Sequence, residues 1–262
     1  TMPTLHQIKA EMMKNREKLE TKVKQGFVRI NMVPIALHVA KLVKAHKQQL
    51  LKHYQEGKLF YPPKEGEHPQ PIPPKQFDET EPFHDWGNWA GTDISGDLKY
   101  HPKLFNQKNH GGDTKRELLK QLAKTSFPGW EIQLIEDNPN IPIQGQGKTR
   151  GGRKQIEANQ SPNDYLKKMR IEEEYQHETG QTIESAITLA IANLHEKNQV
   201  TDDFEGNGRI NCCAGNYQSS SGDLPRFCWY RDYRRARLDR SDPWSPSGSC
   251  GLRPAVGVSS ID

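Results

Sequence analysis

Seven prolines fall between Tyr61 and Phe83, including the pairs Pro62-Pro63 and Pro73-Pro74. Proline lacks a backbone N–H and fixes φ, so this stretch is predicted to form neither a helix nor an inner strand. It is expected to run extended over a surface, as a tether. The chain of 262 residues then divides into a first part over 1–60, a Pro-rich and irregular connecting segment over 61–112, and a unit over 113–262. With 33% hydrophobic residues there is enough apolar material for one core, provided some segments lie outside it.

Residues 1–60 carry 12 Lys and Arg against 4 Asp and Glu, although the whole chain has a formal charge of only +4. Leu5, Ile8, Met12, Leu19 and Val23 recur at helical spacing and predict an amphipathic helix over 4–25. Pro34 suits the first turn of a second helix, running to about Glu56 and stopping at Gly57. These basic amphipathic helices would pack as a hairpin on the main domain or on another subunit. Their lysines read as a solvated face, or as a contact for nucleic acid or an acidic partner.

Thr1 ahead of Met2 reads as a remnant before a natural start. No apolar run approaches the roughly 20 residues that span a bilayer, and no signal peptide is visible, which makes the cytoplasm the default location.

Within 84–112, rich in Gly, Asn, Asp and His, Trp86 and Trp89 are expected to pack a loop down; a stacking platform is the alternative. A helix is predicted over 113–125, capped by Asp113 or Thr114, and a half-buried strand over Gly129–Glu136. Helices follow at Ser161–Glu174 and Thr182–Lys197. Beyond Asn207 the chain reads as short strands, at Gly208–Ala214, Phe227–Tyr230 and Cys250–Val258. The last of these and the strand near residue 130 are candidates to pair and close the domain.

Gly145-Gln146-Gly147-Lys148-Thr149-Arg150-Gly151-Gly152-Arg153 imitates a phosphate-binding loop, but Pro142 occupies the first glycine position and no helix follows directly. A long turn is the better reading, with Lys148, Arg150 and Arg153 as weak attractors of anions. The cysteines at 212, 213, 228 and 250 match no zinc pattern. They read as free thiols, with a disulfide from Cys228 to Cys212 or Cys213 as the alternative. His177 and His195 lack nucleophile partners, and Glu172, Glu173 and Glu174 read as a solvated run. No catalytic residue, metal or cofactor is assigned.

Arg231-Asp232-Tyr233-Arg234-Arg235-Ala236-Arg237, then Asp242-Pro243, then Gly251-Leu252-Arg253-Pro254-Ala255-Val256 form a sequence of motifs at the end of the chain. This tail resembles the end of the formylglycine-generating-enzyme type of C-type-lectin fold, and the strand and helices after residue 127 look like its opening. The resemblance covers about half the chain and implies an α+β class: a C-type-lectin-like domain with an N-terminal helical extension. In the oxidases of that family, catalysis depends on a spaced cysteine pair; the adjacent Cys212 and Cys213 depart from it, which makes oxidase activity the weakest reading. The variable proteins of diversity-generating retroelements share the same ending. There, adenine-directed mutagenesis rewrites residues that project from a fixed scaffold.

Residues 217–247 fit that second subgroup in composition, being dense in Tyr, Ser, Asp and Arg. The resemblance therefore implies a variable ligand-binding surface built from Tyr217, Ser219, Ser221, Asp223, Arg226, Trp229, Tyr230, Arg231, Asp232, Tyr233, Arg235, Arg237, Asp239, Arg240 and Trp244. Trp229 and Trp244, and the tyrosines at 230 and 233, could equally be core aromatics. The leading expectation is a binding protein for a protein or other macromolecular ligand. The competing one is a nucleic-acid-associated protein that uses the N-terminal lysines and the Arg cluster.

Overall fold

A computed structural model describes residues 1–64, 66–105 and 110–259. Thr4 and Gln7 form a reciprocal capping box that starts α1 (Leu5–Lys14). The single helix expected over 4–25 is interrupted at Asn15. Its side-chain amide donates to the Glu11 carbonyl at 3.3 Å, competing with the helical ladder, and α2 (Arg16–Lys24) begins afresh. Gly26, at φ 103°, turns the chain into β1 (Phe27–Val33). Pro34 opens a tight turn, not a helix, and α3 (Val39–Gln55) starts five residues later than expected. A remote residue supplies its cap: the Asp93 carboxylate accepts the Val39 N–H at 3.2 Å.

The proline-rich segment makes the short ribbon β2 (Phe60–Tyr61) with β3 (Gln70–Pro71), then β4 (Phe83–Asp85). It does more than tether, because Ile72, Phe77 and Phe83 are buried in the main core. After α4 (Thr92–Ser95) and β5 (Leu98–Tyr100), β6 (Asp113–Thr114) leads into α5 (Lys115–Leu122), again through a capping box, Thr114 with Glu117. The reading of 84–112 as loop lies outside the described residues at 106–109.

All six residues of β7 (Glu131–Glu136) are buried, where half were expected to be. The strand is covered twice. Ile132 and Leu134 pack with Ile8 and Leu19 from α1 and α2, and Ile135 packs with Leu189 from the other side.

The glycine-rich segment folds as a hairpin, β8 (Thr149–Arg150) and β9 (Arg153–Lys154), around Gly151 and Gly152, both at positive φ. Helix α6 (Pro162–Ile171) is capped by Ser161; β10 (Glu178–Gly180) follows; α7 (Ile183–Lys197) is capped by Thr182. The remaining strands are β11 (Asp203–Phe204), β12 (Ile210–Cys212), β13 (Asn216–Gln218), β14 (Leu224–Tyr230), β15 (Arg235–Ser241), β16 (Cys250–Gly251) and β17 (Pro254–Gly257).

This is an α+β protein. One antiparallel sheet runs β1-β7-β17-β10, and Val256 of the closing strand stands opposite Leu134, the pairing anticipated from sequence. A second runs β16-β12-β14-β15-β4, with β11 beside β14. Residues 1–60 do not form a separate helical extension: β1 pairs with β7, and Leu42 and Leu50 of α3 share a core with Ile187 and Leu194 of α7 and with Phe227 and Leu238. The sequence reading assigned no element to residues 26–33, between its two helices, although Val28, Ile30 and Met32 alternate with Arg29 and Asn31 as in a strand. No helix among the described residues is long and apolar enough to cross a membrane.

Two buried features set the energetics. Arg153 is fully buried, so it attracts no external anion. Its guanidinium grips Glu178 through two bonds of 2.7 Å and Glu136 through one of 2.6 Å. Lys22 adds a bond of 2.6 Å to Glu178. Four elements are thereby tied, with the charges balanced. Removing one member leaves an uncompensated buried charge, so Arg153→Ala is expected to cost about 3–5 kcal/mol in urea unfolding.

His46 on α3 lies edge-on to Phe83 at 5.4 Å, and burial holds its imidazole down to about 3. An unfolded histidine titrates near 6.5, so as pH falls below that value the unfolded chain binds a proton that the folded one refuses. Stability is therefore lost from about pH 6.5 down toward 3, by up to about 1.4 kcal/mol per pH unit, and regained as pH rises. His46→Leu should show a shallower acid-side slope in unfolding measured from pH 7 to 4.

Candidate ligand-binding face

Strands β14 and β15 form a hairpin whose register sets Arg226 opposite Asp239, Cys228 opposite Arg237 and Tyr230 opposite Arg235. Side chains alternate across a sheet, so the odd residues of β14 and the even ones of β15 share one face. Phe227, Trp229, Ala236 and Leu238 point into the main core. Arg226, Tyr230, Arg235, Arg237 and Asp239 take the other face.

At the turn end of that face, three aromatic rings frame one guanidinium. The Arg237 guanidinium carbon lies 4.7 Å from the Tyr233 ring centre, 5.1 Å from Trp86 and 5.6 Å from Tyr230. Tyr230 and Tyr233 meet edge-on at 4.7 Å. Arg237 also pairs with Asp239 at 3.1 Å, while its Nε meets no acceptor among the described residues. Trp86 is 62% exposed and Tyr233 49%, so both rings are largely free toward solvent. Arg234 closes the turn at φ 57°. Glu205 beside it has its carboxyl pushed up, by burial first and then by the neighbouring Asp232. Burial likewise raises the Tyr230 hydroxyl, with the Glu205 charge adding to it.

The fifteen residues singled out in the sequence do not form one surface. Tyr230, Asp232, Tyr233 and Arg237 gather at the turn end, with Trp86 added from the connecting segment. Trp86 and Trp89 were both expected to pack their loop down; Trp89 does so, fully buried, with its Nε1 donating to the Asp239 carbonyl at 2.9 Å, whereas Trp86 does not. Ser219, Ser221, Asp223 and Arg240 lie toward the other end, a separation of about 20 Å along seven-residue strands. There Ser219 donates to Asp97 at 2.8 Å, Ser221 to Gln218 at 3.3 Å, and Arg240 to the Gly87 carbonyl at 2.8 Å. Asp97, accepting hydrogen bonds from Ser220, Ser219 and Gln218 that outweigh its partial burial, is held at about 2.

Several members have structural work. Trp229 is in the core and Tyr217 is buried, its hydroxyl donating to the Gly111 carbonyl at 2.8 Å. Arg231 forks onto Asp203 at 2.6 and 2.8 Å and lies 4.0 Å above the Tyr61 ring. Arg235 is held by Asp78 at 2.8 Å and by Glu81. Arg226 bonds to the buried Asp239 at 3.0 Å. Trp244, 43% exposed, stands apart in the segment after β15.

Sequence reasoning listed these residues from composition. Strand alternation alone would have removed Trp229, had β15 been recognised as its partner. For Trp86 the sequence offered only the alternative of a stacking platform, because its neighbours on the face come from more than 140 residues away. Among the described residues no three of His, Cys, Asp or Glu come close enough to share a metal ion.

Comparison with protein families, curated proteins and solved structures found no match for this chain.

The two faces of the hairpin should respond oppositely to truncation. Trp229→Ala is expected to destabilise by about 3–5 kcal/mol through the cavity it leaves. Tyr233→Ala should stay within about 0.5 kcal/mol of the parent. Thermal or urea unfolding of the two variants checks both.

Proposed function

We propose that this is a non-catalytic ligand-binding protein that presents a diversifiable aromatic and arginine face, as the variable proteins of diversity-generating retroelements do on a C-type-lectin-like scaffold. The observation that carries this reading is the framing of Arg237 by Tyr230, Tyr233 and Trp86 on the outer side of a hairpin whose inner side is core. Large rings and a guanidinium offer contact area and hydrogen bonds at low cost in side-chain entropy, which is why they dominate binding hot spots. Holding them on paired strands fixes the backbone while leaving the side chains replaceable. Tyr230, Asp232, Tyr233 and Arg237 form the leading patch; Ser219, Ser221, Asp223 and Arg240 form a second. The expected ligand is a protein or other macromolecule.

Two measurements test this. A library randomised at 230, 232, 233 and 237 should remain largely soluble and folded; collapse of most members would overturn the reading. Sequencing of the flanking DNA should reveal a reverse transcriptase gene and a near-copy of the segment coding for 216–258 that differs mainly at adenines.

A second reading rests on α3, where Lys41, Lys44 and Lys47 form no ion pair among the described residues and Lys41 and Lys44 are exposed. Such a row fits the phosphates of a nucleic acid. Binding through it would weaken steeply with salt, with a log–log slope near −0.9 per phosphate contacted on duplex DNA. A flat salt response would dispose of it.

A further inference from the structure

The end of β7, the turn after β11 and the β8–β9 hairpin border a cleft of about 710 Å³, which shares no residue with the face around Arg237. Its walls are tied together. Asn207 donates from Nδ2 to the Pro62 carbonyl at 3.2 Å. Gly208 backs Asn140 so closely that a Cβ there would stand 2.6 Å from Asn140 Oδ1.

The side-chain acceptors along the β7 side are spent. Glu136 is taken by Arg153 at 2.6 Å and by Gln155 at 2.5 Å, and Asp137 by Lys197 at 2.6 Å. Asn138 Oδ1 accepts the Asn140 N–H at 3.0 Å, and Asn140 Oδ1 accepts the Asp203 N–H at 3.0 Å. The donors are not spent. Neither Nδ2 of these two asparagines meets an acceptor among the described residues, although Asn140 is only 7% exposed. An amide held by its oxygen, with its nitrogen unused, is set for a ligand that accepts hydrogen bonds. Lys64, Lys148 and Arg150 line the same cleft and are exposed, and Arg150 makes no ion pair among the described residues. Because Arg153 and Lys197 already cancel the two carboxylates, these side chains leave the cleft positive.

The glycine-rich run does not act here through its backbone. The Gly147 N–H donates to Glu157 at 2.6 Å and the Lys148 N–H to Gln155 at 3.0 Å, so amides that a phosphate loop would offer are occupied. Its contribution to the cleft is the side chains of Lys148 and Arg150.

We propose that this cleft is a binding site for an oligophosphate, a chain of two or three linked phosphoryl groups gripped by side chains. Ionised phosphoryl oxygens only accept, so they match the unused donors and make no demand on the spent oxygens. Arg150 offers a planar fork to one phosphoryl group, while the lysines act as point charges on the chain. The cleft lies within the range of small-molecule sites, about 300–1,000 Å³, and a single phosphate would leave most of it empty. No aromatic ring is among its described lining residues, so nothing there stacks on a base, and the phosphate chain is the part recognised.

The test titrates the intact chain with tripolyphosphate, pyrophosphate and inorganic phosphate by isothermal titration calorimetry, in metal-free buffer at neutral pH. One tripolyphosphate is expected to bind per chain, more tightly than pyrophosphate, with inorganic phosphate weakest. Equal affinity for all three would mean an adventitious ion only and would overturn the assignment, as would the absence of any binding. ATP should bind no more tightly than tripolyphosphate; a much tighter ATP complex would mean that a base is read and would overturn the ligand class. Arg150→Gln, at an exposed position, should weaken tripolyphosphate about tenfold. Asn140→Asp keeps the oxygen that holds Asp203 but replaces the Nδ2 donor with a negative charge, and should abolish binding. Should that variant fail to fold, Arg150→Glu gives the second reading, with the same loss expected. Unchanged affinity in the Arg150 variants would place the phosphate elsewhere and refute the site. The cleft and the hairpin face succeed or fail separately.

Discussion

The four-charge cluster of Arg153, Glu136, Glu178 and Lys22 is the interaction on which the rest of this fold depends. An arginine with no solvent contact is tolerated only where its donors are matched and its charge cancelled. Meeting that demand brings α2, β7, β9 and β10 to one place. Two aromatic rings complete the surroundings, with the guanidinium 4.8 Å from the centre of Phe27 and 5.1 Å from that of Tyr175. The first sheet acquires its register from polar contacts as much as from apolar ones. Ser185 at the start of α7 donates to Gln133 at 2.6 Å and accepts from Asn31 at 3.1 Å, tying the helix to β7 and β1.

A similar economy governs the second sheet. Its hairpin is flanked by β12 on one side and by β4 on the other, so neither strand is an open edge. One side is anchored in the main core by Phe227, Trp229 and Leu238. On the other side the covering layer, which holds Cys228 and Leu224, gives out toward the turn, where Tyr230, Arg237 and Tyr233 meet solvent. The exposed aromatic and arginine face exists because one end of a well-anchored sheet is left uncovered.

The α+β class, three helix caps and the pairing of the final strand with the one near residue 131 were legible from local signals: Thr114, Ser161 and Thr182 are capping residues, and the terminal apolar alternation is plain. What escaped depends on distant residues. The start of α3 is fixed by Asp93, not by Pro34. Phe27–Val33 pairs with β7, a partner remote in sequence, and the short alternation of Val28, Ile30 and Met32 does not by itself mark a strand. The site was half legible. Tyr and Arg were evident in composition, but which of them face outward is decided by the pairing of β14 with β15, and Trp86 arrives through the parallel β4, invisible to any local pattern.

The position of β17 has a consequence for biosynthesis. It lies between β7 and β10, yet it is drawn from residues 254–257, whereas its neighbours are complete by residue 180. A nascent chain leaving the ribosome therefore carries a sheet with its middle missing through the production of more than seventy residues. Val256 and Val258 close the cluster around Ile8 and Phe27, so the packing of the first helices also waits for these residues. Folding is then a late, concerted event, dominated by contacts of long sequence separation, and such topologies are slow to form. This order ties the first sheet to the second, because β17 is produced only after β14 and β15 are complete. Any change that disturbs the second sheet is met before the first one has closed, while the chain is still open to degradation.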